Sequence, residues 1–210
     1  MSANFRWAIR GGAAVALLAI VLLLALVARS HSSSSSGATS YTSFGAGERP
    51  APNFTLVDDH GKRFTLASLR GRPVIVTFID PYCRDFCPRE ASVLTAAAAK
   101  LGADRPAIVS VSVDPWADTA ANFAADKVHW RLGPEWRWAT GTYGQLAPVW
   151  RDYGVGVTVT KKTIAGITLR KIIHTGAAYL VDPTGHERAL FLYPFTTGDV
   201  VGAAKKALAT

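Results

Sequence analysis

Cysteine is scarce in this chain of 210 residues: there are two, Cys83 and Cys87, four positions apart. None follows the apolar run near the N-terminus, which excludes an anchor built on a lipid-modified cysteine. Acidic residues are missing from the first 29 positions, which carry three arginines, so the remainder has a net charge of 8 minus 3, or +5. No basic cluster exceeds the pairs Lys161-Lys162 and Lys205-Lys206, so nucleic-acid binding is not indicated and the surplus is read as a solvated surface. Internal repeats are lacking too. A hydrophobic content of 49% at this length points to one domain with one proper core.

What is present begins with an uncharged stretch of eighteen residues, Gly11 to Ala28, between Arg6 and Arg10 on one side and Arg29 on the other. It is long enough to span a bilayer, and it exceeds the apolar core usual in a cleaved signal peptide. Leu26-Val27-Ala28 also puts a bulky leucine where cleavage wants a small residue. An uncleaved transmembrane anchor over 11–28 is therefore expected. The leading arginines place residues 1–10 in the cytoplasm and the folded part outside, as a single-pass protein of the plasma membrane. Residues 29–49, with Ser32 to Ser36 unbroken, read as a flexible tether, and 50–210 as the folded domain.

Within that domain Asn53–Leu56 and Arg63–Leu66 flank the turn Asp58-Asp59-His60-Gly61 and predict a hairpin with a solvated His60. The β-branched run from Pro73 to Ile79 reads as a buried strand, and Arg89 to Leu101 as a helix with Pro88 in its first turn. A second strand over 107–115 follows, its helical connection making it parallel to the first. Asp118 or Thr119 caps a helix to about Val128. Trp130, Trp136 and Trp138 fall in a loop-like stretch and are read as core packing under a long connection. Gly144 to Tyr153 reads as a helix despite Pro148. A hairpin excursion runs from Val155 to Ile172, then strand 177–181, turn 182–185, strand 189–193 and a final helix from Thr196 or Thr197 to Leu208. This order predicts an α/β, thioredoxin-like fold: a central mixed sheet flanked by helices, with an extra N-terminal β-hairpin and a hairpin excursion, preceded by the transmembrane helix.

The chemistry is expected at the strand-to-helix turn Asp80-Pro81-Tyr82-Cys83-Arg84-Asp85-Phe86-Cys87-Pro88. Thiols there sit beside the positive end of a helix dipole, which favours thiolate. A disulfide closing so short a ring removes little entropy from the unfolded chain, so passive stabilisation is the weaker use of the pair. In a thioredoxin-like fold the loop Ile172–Gly176 lies against this turn, with Gly176 near the place of the cis-proline of redox members. That brings His174 to the thiols. Two cysteines and a histidine form a soft ligand set suited to copper, especially Cu(I), and usable by zinc. His129 and His186 have no partner pattern, and His186 is expected to be exposed. Asp80 and Asp85 either tune the thiols or shape the turn.

These motifs together resemble the Sco/SenC family of membrane-anchored copper chaperones. Cys83-Arg84-Asp85-Phe86-Cys87-Pro88 is similar to the family's Cys-Pro-Asp-x-Cys-Pro. Ser112-Val113-Asp114-Pro115 with Asp118-Thr119 resembles its Ser-Val-Asp-Pro segment, and His174 ahead of Tyr179–Gly185 resembles its histidine. The likeness covers Pro50 to about Leu208. It implies a copper ion held by Cys83, Cys87 and His174 and delivered to the copper centre of cytochrome oxidase subunit II. Two positions depart from the family pattern: Arg84 replaces a proline, and Ile173 replaces the aspartate that commonly precedes the histidine. The alternative reading of the same residues is thiol-disulfide exchange through Cys83 or Cys87. A peroxidase reading wants threonine three positions before the cysteine, where Asp80 stands.

Overall fold

The computed structural model describes residues 41–209. No helix among these residues is long and apolar enough to cross a membrane; the anchor read over 11–28, and the tether as far as residue 40, lie outside the described residues. Ten strands and four α-helices follow one another: β1 Tyr41–Ser43, β2 Thr55–Asp58, β3 Arg63–Thr65, β4 Val74–Ile79, α1 Cys87–Leu101, β5 Ala107–Ser112, α2 Ala120–His129, β6 Trp136–Thr140, α3 Tyr143–Asp152, β7 Val157–Ile164, β8 Ile167–His174, β9 Ala177–Val181, β10 Glu187–Leu192 and α4 Thr197–Leu208. Eight strands form one mixed sheet in the order β1-β10-β9-β4-β5-β6-β2-β3, and β7 and β8 pair with each other in a separate ribbon.

The alternation of strand side chains divides the core between the two faces of the sheet. In β4, Ile75 and Ile79 point to the side covered by α1, α2 and α4, while Val74, Val76 and Phe78 join Leu146, Val149 and Trp150 of α3 on the other. All six β4 residues are buried, as expected of a strand paired on both edges under helices: β5 runs parallel to it and β9 antiparallel. Helix α1 buries Cys87, Glu90, Ala91, Leu94, Ala97, Ala98 and Leu101, a stripe at helical spacing. Thr119 caps α2, and capping boxes start α3 at Thr142 and α4 at Thr196.

Two expectations are corrected. Tyr41–Ser43, expected to lie in the tether, belongs to the main sheet: β1 pairs with β10, and the Tyr41 ring lies 5.2 Å from that of Phe191. The tryptophan stretch is a strand rather than a loop: β6 runs parallel to β5, with Trp136 and Trp138 buried on one face and Arg137 on the other. The early hairpin is as expected, β2 pairing with β3, and β2 also pairs with β6, which joins it to the main sheet. The β7–β8 excursion is as expected, although β8 runs on to His174.

If β1 is a working edge strand, Tyr41→Ala should lower stability by about 1–2 kcal/mol through lost ring packing. Chemical denaturation measures this, and an unchanged midpoint would mean that the segment is only tether.

Candidate metal centre

The turn after β4 closes on itself before α1 begins. Asp80 accepts from the Tyr82 amide through Oδ1 at 2.7 Å and from the Cys83 amide through its carbonyl at 3.0 Å. This is an Asx-type turn, so Asp80 shapes the loop. It also touches the chemistry, because its carboxylate works against a negative charge on Cys83. The Asp85 side chain is exposed; its backbone N–H is what bonds to the Cys83 sulfur. Cys83 is partly exposed, and Cys87, the first residue of α1, is fully buried. Both are free thiols. The Cys87 amide donates to Cys83 Sγ at 3.4 Å, so an N–H left unpaired at the helix start is spent on the sulfur.

This geometry splits the two thiols. A hydrogen bond from the Cys87 thiol, helped by the backbone N–H groups of Cys87 and Asp85, brings Cys83 down to about 6 despite partial burial. Cys87 moves the opposite way: its proton is held by the Cys83 sulfur, and burial in the core keeps it there. At neutral pH the pair is therefore one thiolate and one thiol. Arg84 donates to the carbonyls of Pro81 at 2.9 Å and Cys83 at 3.1 Å, so its guanidinium braces the loop that presents the sulfur.

His174 arrives from the other side. It ends β8, and its Nε2 lies 3.7 Å from Cys87 Sγ. Nδ1 lies 3.1 Å from the Thr175 carbonyl, which can only accept. Nδ1 therefore carries the proton, and the Nε2 lone pair faces the thiol. Burial lowers the imidazole's pKa and favours its neutral form, against the bond to Thr175, which raises it. The Phe86 ring is wedged between His174 at 5.0 Å and Tyr193 at 5.3 Å. Gly176 makes room for that wedge: a Cβ there would stand 2.8 Å from Phe86 Cε2 and 2.9 Å from Tyr193 Cβ. A glycine at the cis-proline position is thus required by space, its φ being ordinary.

Cys83, Cys87 and His174 are brought together from three elements at the carboxyl end of β4. They line, with Asp80, Arg84 and Lys171, an open cavity of about 450 Å³, save Cys87, which lies beneath it. Among the described residues no group of three or more His, Cys, Asp or Glu side chains is already drawn in as a ligand shell. The donor types nonetheless suit a soft ion: a ready thiolate, a second sulfur that releases a proton on coordination, and a neutral imidazole. His60 is exposed, as expected. His186 is half-buried and bonded to Thr184 through Nδ1 at 2.8 Å, against the expectation of exposure. His129 bonds to the Ala125 carbonyl of its own helix at 2.8 Å.

Glu90 escaped the sequence reading. It is fully buried one turn into α1, bonded to the Thr77 hydroxyl of β4, with Oε2 unpartnered. Burial raises it to about 8, and negative charge on Cys83 adds to the rise. The available signal was a lone carboxylate within the apolar stripe Cys87, Ala91, Leu94, facing the lone threonine of an otherwise apolar strand.

The family model described as SCO1/SenC matches residues 45–209. Among curated relatives, the mouse protein "SCO2 homolog, mitochondrial" is 32% identical over 139 residues, covering 63% of this chain and 52% of its own. The chain spans about half the length of the curated relatives it matches. Of solved structures, Bradyrhizobium japonicum ScoI with copper bound superposes with a TM-score of 0.61 at 26% identity, covering 75% of this chain and 99% of that one. BsSco, described as a member of the Sco family of cytochrome c oxidase assembly proteins with a disulfide switch, is 24% identical. It gives a TM-score of 0.61 and covers 79% and 97% of the two chains.

Two measurements check this chemistry. Iodoacetamide should modify Cys83 long before Cys87, at a rate that rises with pH through about 6 and then levels; Cys87→Ala should move that midpoint upward, and equal rates at the two cysteines would contradict the split. For Glu90 the folded value lies above the unfolded one, so between about 4.5 and 8 the unfolded chain binds fewer protons and stability falls as pH rises. Relative to Glu90→Gln, the wild type should lose on the order of 4 kcal/mol across that window, read by denaturation at each pH.

Proposed function

The chain belongs to the SCO1/SenC family, and from that premise we propose that its folded domain binds one copper ion through Cys83, Cys87 and His174 and hands it to a copper site under assembly. The observation that carries the reading is the convergence of two sulfurs and an imidazole lone pair from a loop, a helix start and a strand end. One sulfur is already ionised, the second must give up its proton to the incoming ion, and the imidazole carries a free Nε2 lone pair. Cu(I) asks for soft donors in low number and no further charge. The half-open cavity leaves the ion reachable by a recipient's ligands, as transfer requires. We assign the recipient as the copper centre of cytochrome oxidase subunit II, in keeping with the family's assembly role, and the place of action as the outer face of the plasma membrane. There Gly11 to Ala28 would act as a single anchor, and the residues before β1 as a leash.

The departures at Arg84 and Ile173 bear on affinity. No carboxylate precedes His174, so the imidazole's tautomer rests on the Thr175 carbonyl alone. A site made of two thiolates and Cu(I) would carry a net charge of −1, and Arg84, bonded to the Pro81 and Cys83 carbonyls, supplies a cation within the same loop.

Thiol-disulfide exchange is the second reading, favoured by one feature: an accessible low-pKa sulfur beside a buried thiol is the arrangement of an attacking and a resolving cysteine. The two readings part at His174, which copper needs and exchange does not. Titration of the reduced protein with Cu(I) against a competing chelator should show one ion per chain. His174→Ala should weaken it by at least about tenfold, and Cys83→Ser or Cys87→Ser by more. Full affinity in His174→Ala, with rapid disulfide exchange, would transfer the assignment to the second reading.

A further inference from the structure

The β7–β8 ribbon carries His174 at its base, but its far end has no part in the metal centre. Register separates its two faces. Val157, Val159, Lys161, Arg170, Ile172 and His174 share the inner face, the valines and Ile172 half-buried against the body. Lys161 and Arg170 lie over the Trp116 ring, at 5.7 and 4.8 Å from its centroid. The outer face presents Ile164, Ile167, Leu169 and Ile173, exposed by 50, 65, 53 and 55%, with Lys162 and Lys171 between them. From Tyr153 to Val181 there is no acidic residue, against four cations in the ribbon.

We infer that the tip and outer face of this ribbon dock on an anionic lipid bilayer. Three large aliphatic side chains, Ile164, Ile167 and Leu169, each at least half exposed, sit together at the tip end of one face, with Ile173 nearer the base, more than a soluble surface usually leaves open in one place. Their layout selects the occupant. A protein partner is met by an apolar centre ringed with polar groups. Here the order runs along the outer face: the tip Ile164-Ala165-Gly166-Ile167 has no polar side chain, Leu169 and Lys162 come next, and Lys171 follows beside Thr160. That gradient fits a membrane interface, with aliphatic groups among the upper acyl chains and the ammonium groups of Lys162 and Lys171 level with lipid phosphates. The tip is a tight two-residue turn with positive φ at Ala165 and Gly166, so both isoleucines are held side by side and presented rigidly. Seven residue steps separate Ile167 from His174, about 23 Å at strand rise, so docking would set the height of the metal centre above the bilayer.

The test uses the full chain in lipid nanodiscs made either of phosphatidylcholine alone or of phosphatidylcholine mixed with phosphatidylglycerol, with amide hydrogen exchange of the Lys161–Leu169 peptide as readout. An anchor alone would treat the two bilayers alike. Exchange should slow by roughly tenfold in the mixed bilayer only, and the effect should fade at high salt. Ile164→Ser with Ile167→Ser should abolish the slowing, and Lys162→Gln should reduce it by about fivefold. Cu(I) uptake by the isoleucine variant should stay unchanged, which keeps a failure of docking distinct from a failure of the metal assignment. Exchange that is the same in the two bilayers overturns the inference and returns the surface to an acidic protein partner.

Discussion

A negative charge on the Cys83 sulfur, held by the N–H and S–H groups of Cys87 at the start of α1, is the interaction on which the rest of the site depends. It makes one thiol nucleophilic and ready to ligate while locking the proton of the other. Two structural commitments are needed to create it. The β4 strand must end where it does, so that the Asp80 turn holds the Cys83 amide while its sulfur meets the Cys87 amide. The helix must begin at Cys87, so that its first free amide meets that sulfur. Pro88 in the first turn permits this because its missing N–H has no intrahelical partner to lose.

The histidine is supplied by a different device. A ribbon that pairs with no other described strand is clamped to the body at Trp116 and tied at its base by the mutual bonds of Gly156 and Thr175. Gly176 follows at once, letting Phe86 and Tyr193 close over it and fix the imidazole's ring face. His174 is thus positioned by packing and by one backbone carbonyl. Beneath them, the Thr77–Glu90 pair places an acid in the core within electrostatic reach of Cys83. A carboxyl that stays protonated there spares the site a second negative charge.

Much of this was legible in the amino-acid sequence, and the remainder failed for identifiable reasons. The β-branched run of β4, the helix after Pro88, and the Asp182–Gly185 turn are local signals, and the structure follows them closely. The approach of His174 to the cysteines needed the fold order as well, since eighty-seven residues separate it from Cys87. Tyr41–Ser43 is three residues of polar, small-residue sequence whose strand exists only because β10 offers an open edge. Trp136, Arg137 and Trp138 alternate as a strand should, yet the Gly133-Pro134 pair just before them reads as loop. Glu90 was missed because a single charge in a helix is ordinarily solvated, and only the stripe around it shows that it cannot be.

X-ray absorption at the copper edge of the reduced, Cu(I)-loaded protein tests the proposed ligand set most directly. A shell of two sulfurs and one imidazole nitrogen is expected, with the nitrogen scattering lost in His174→Ala and one sulfur lost in Cys83→Ser or Cys87→Ser. A spectrum that keeps its nitrogen when His174 is removed, or that shows sulfur alone in the wild type, would contradict it.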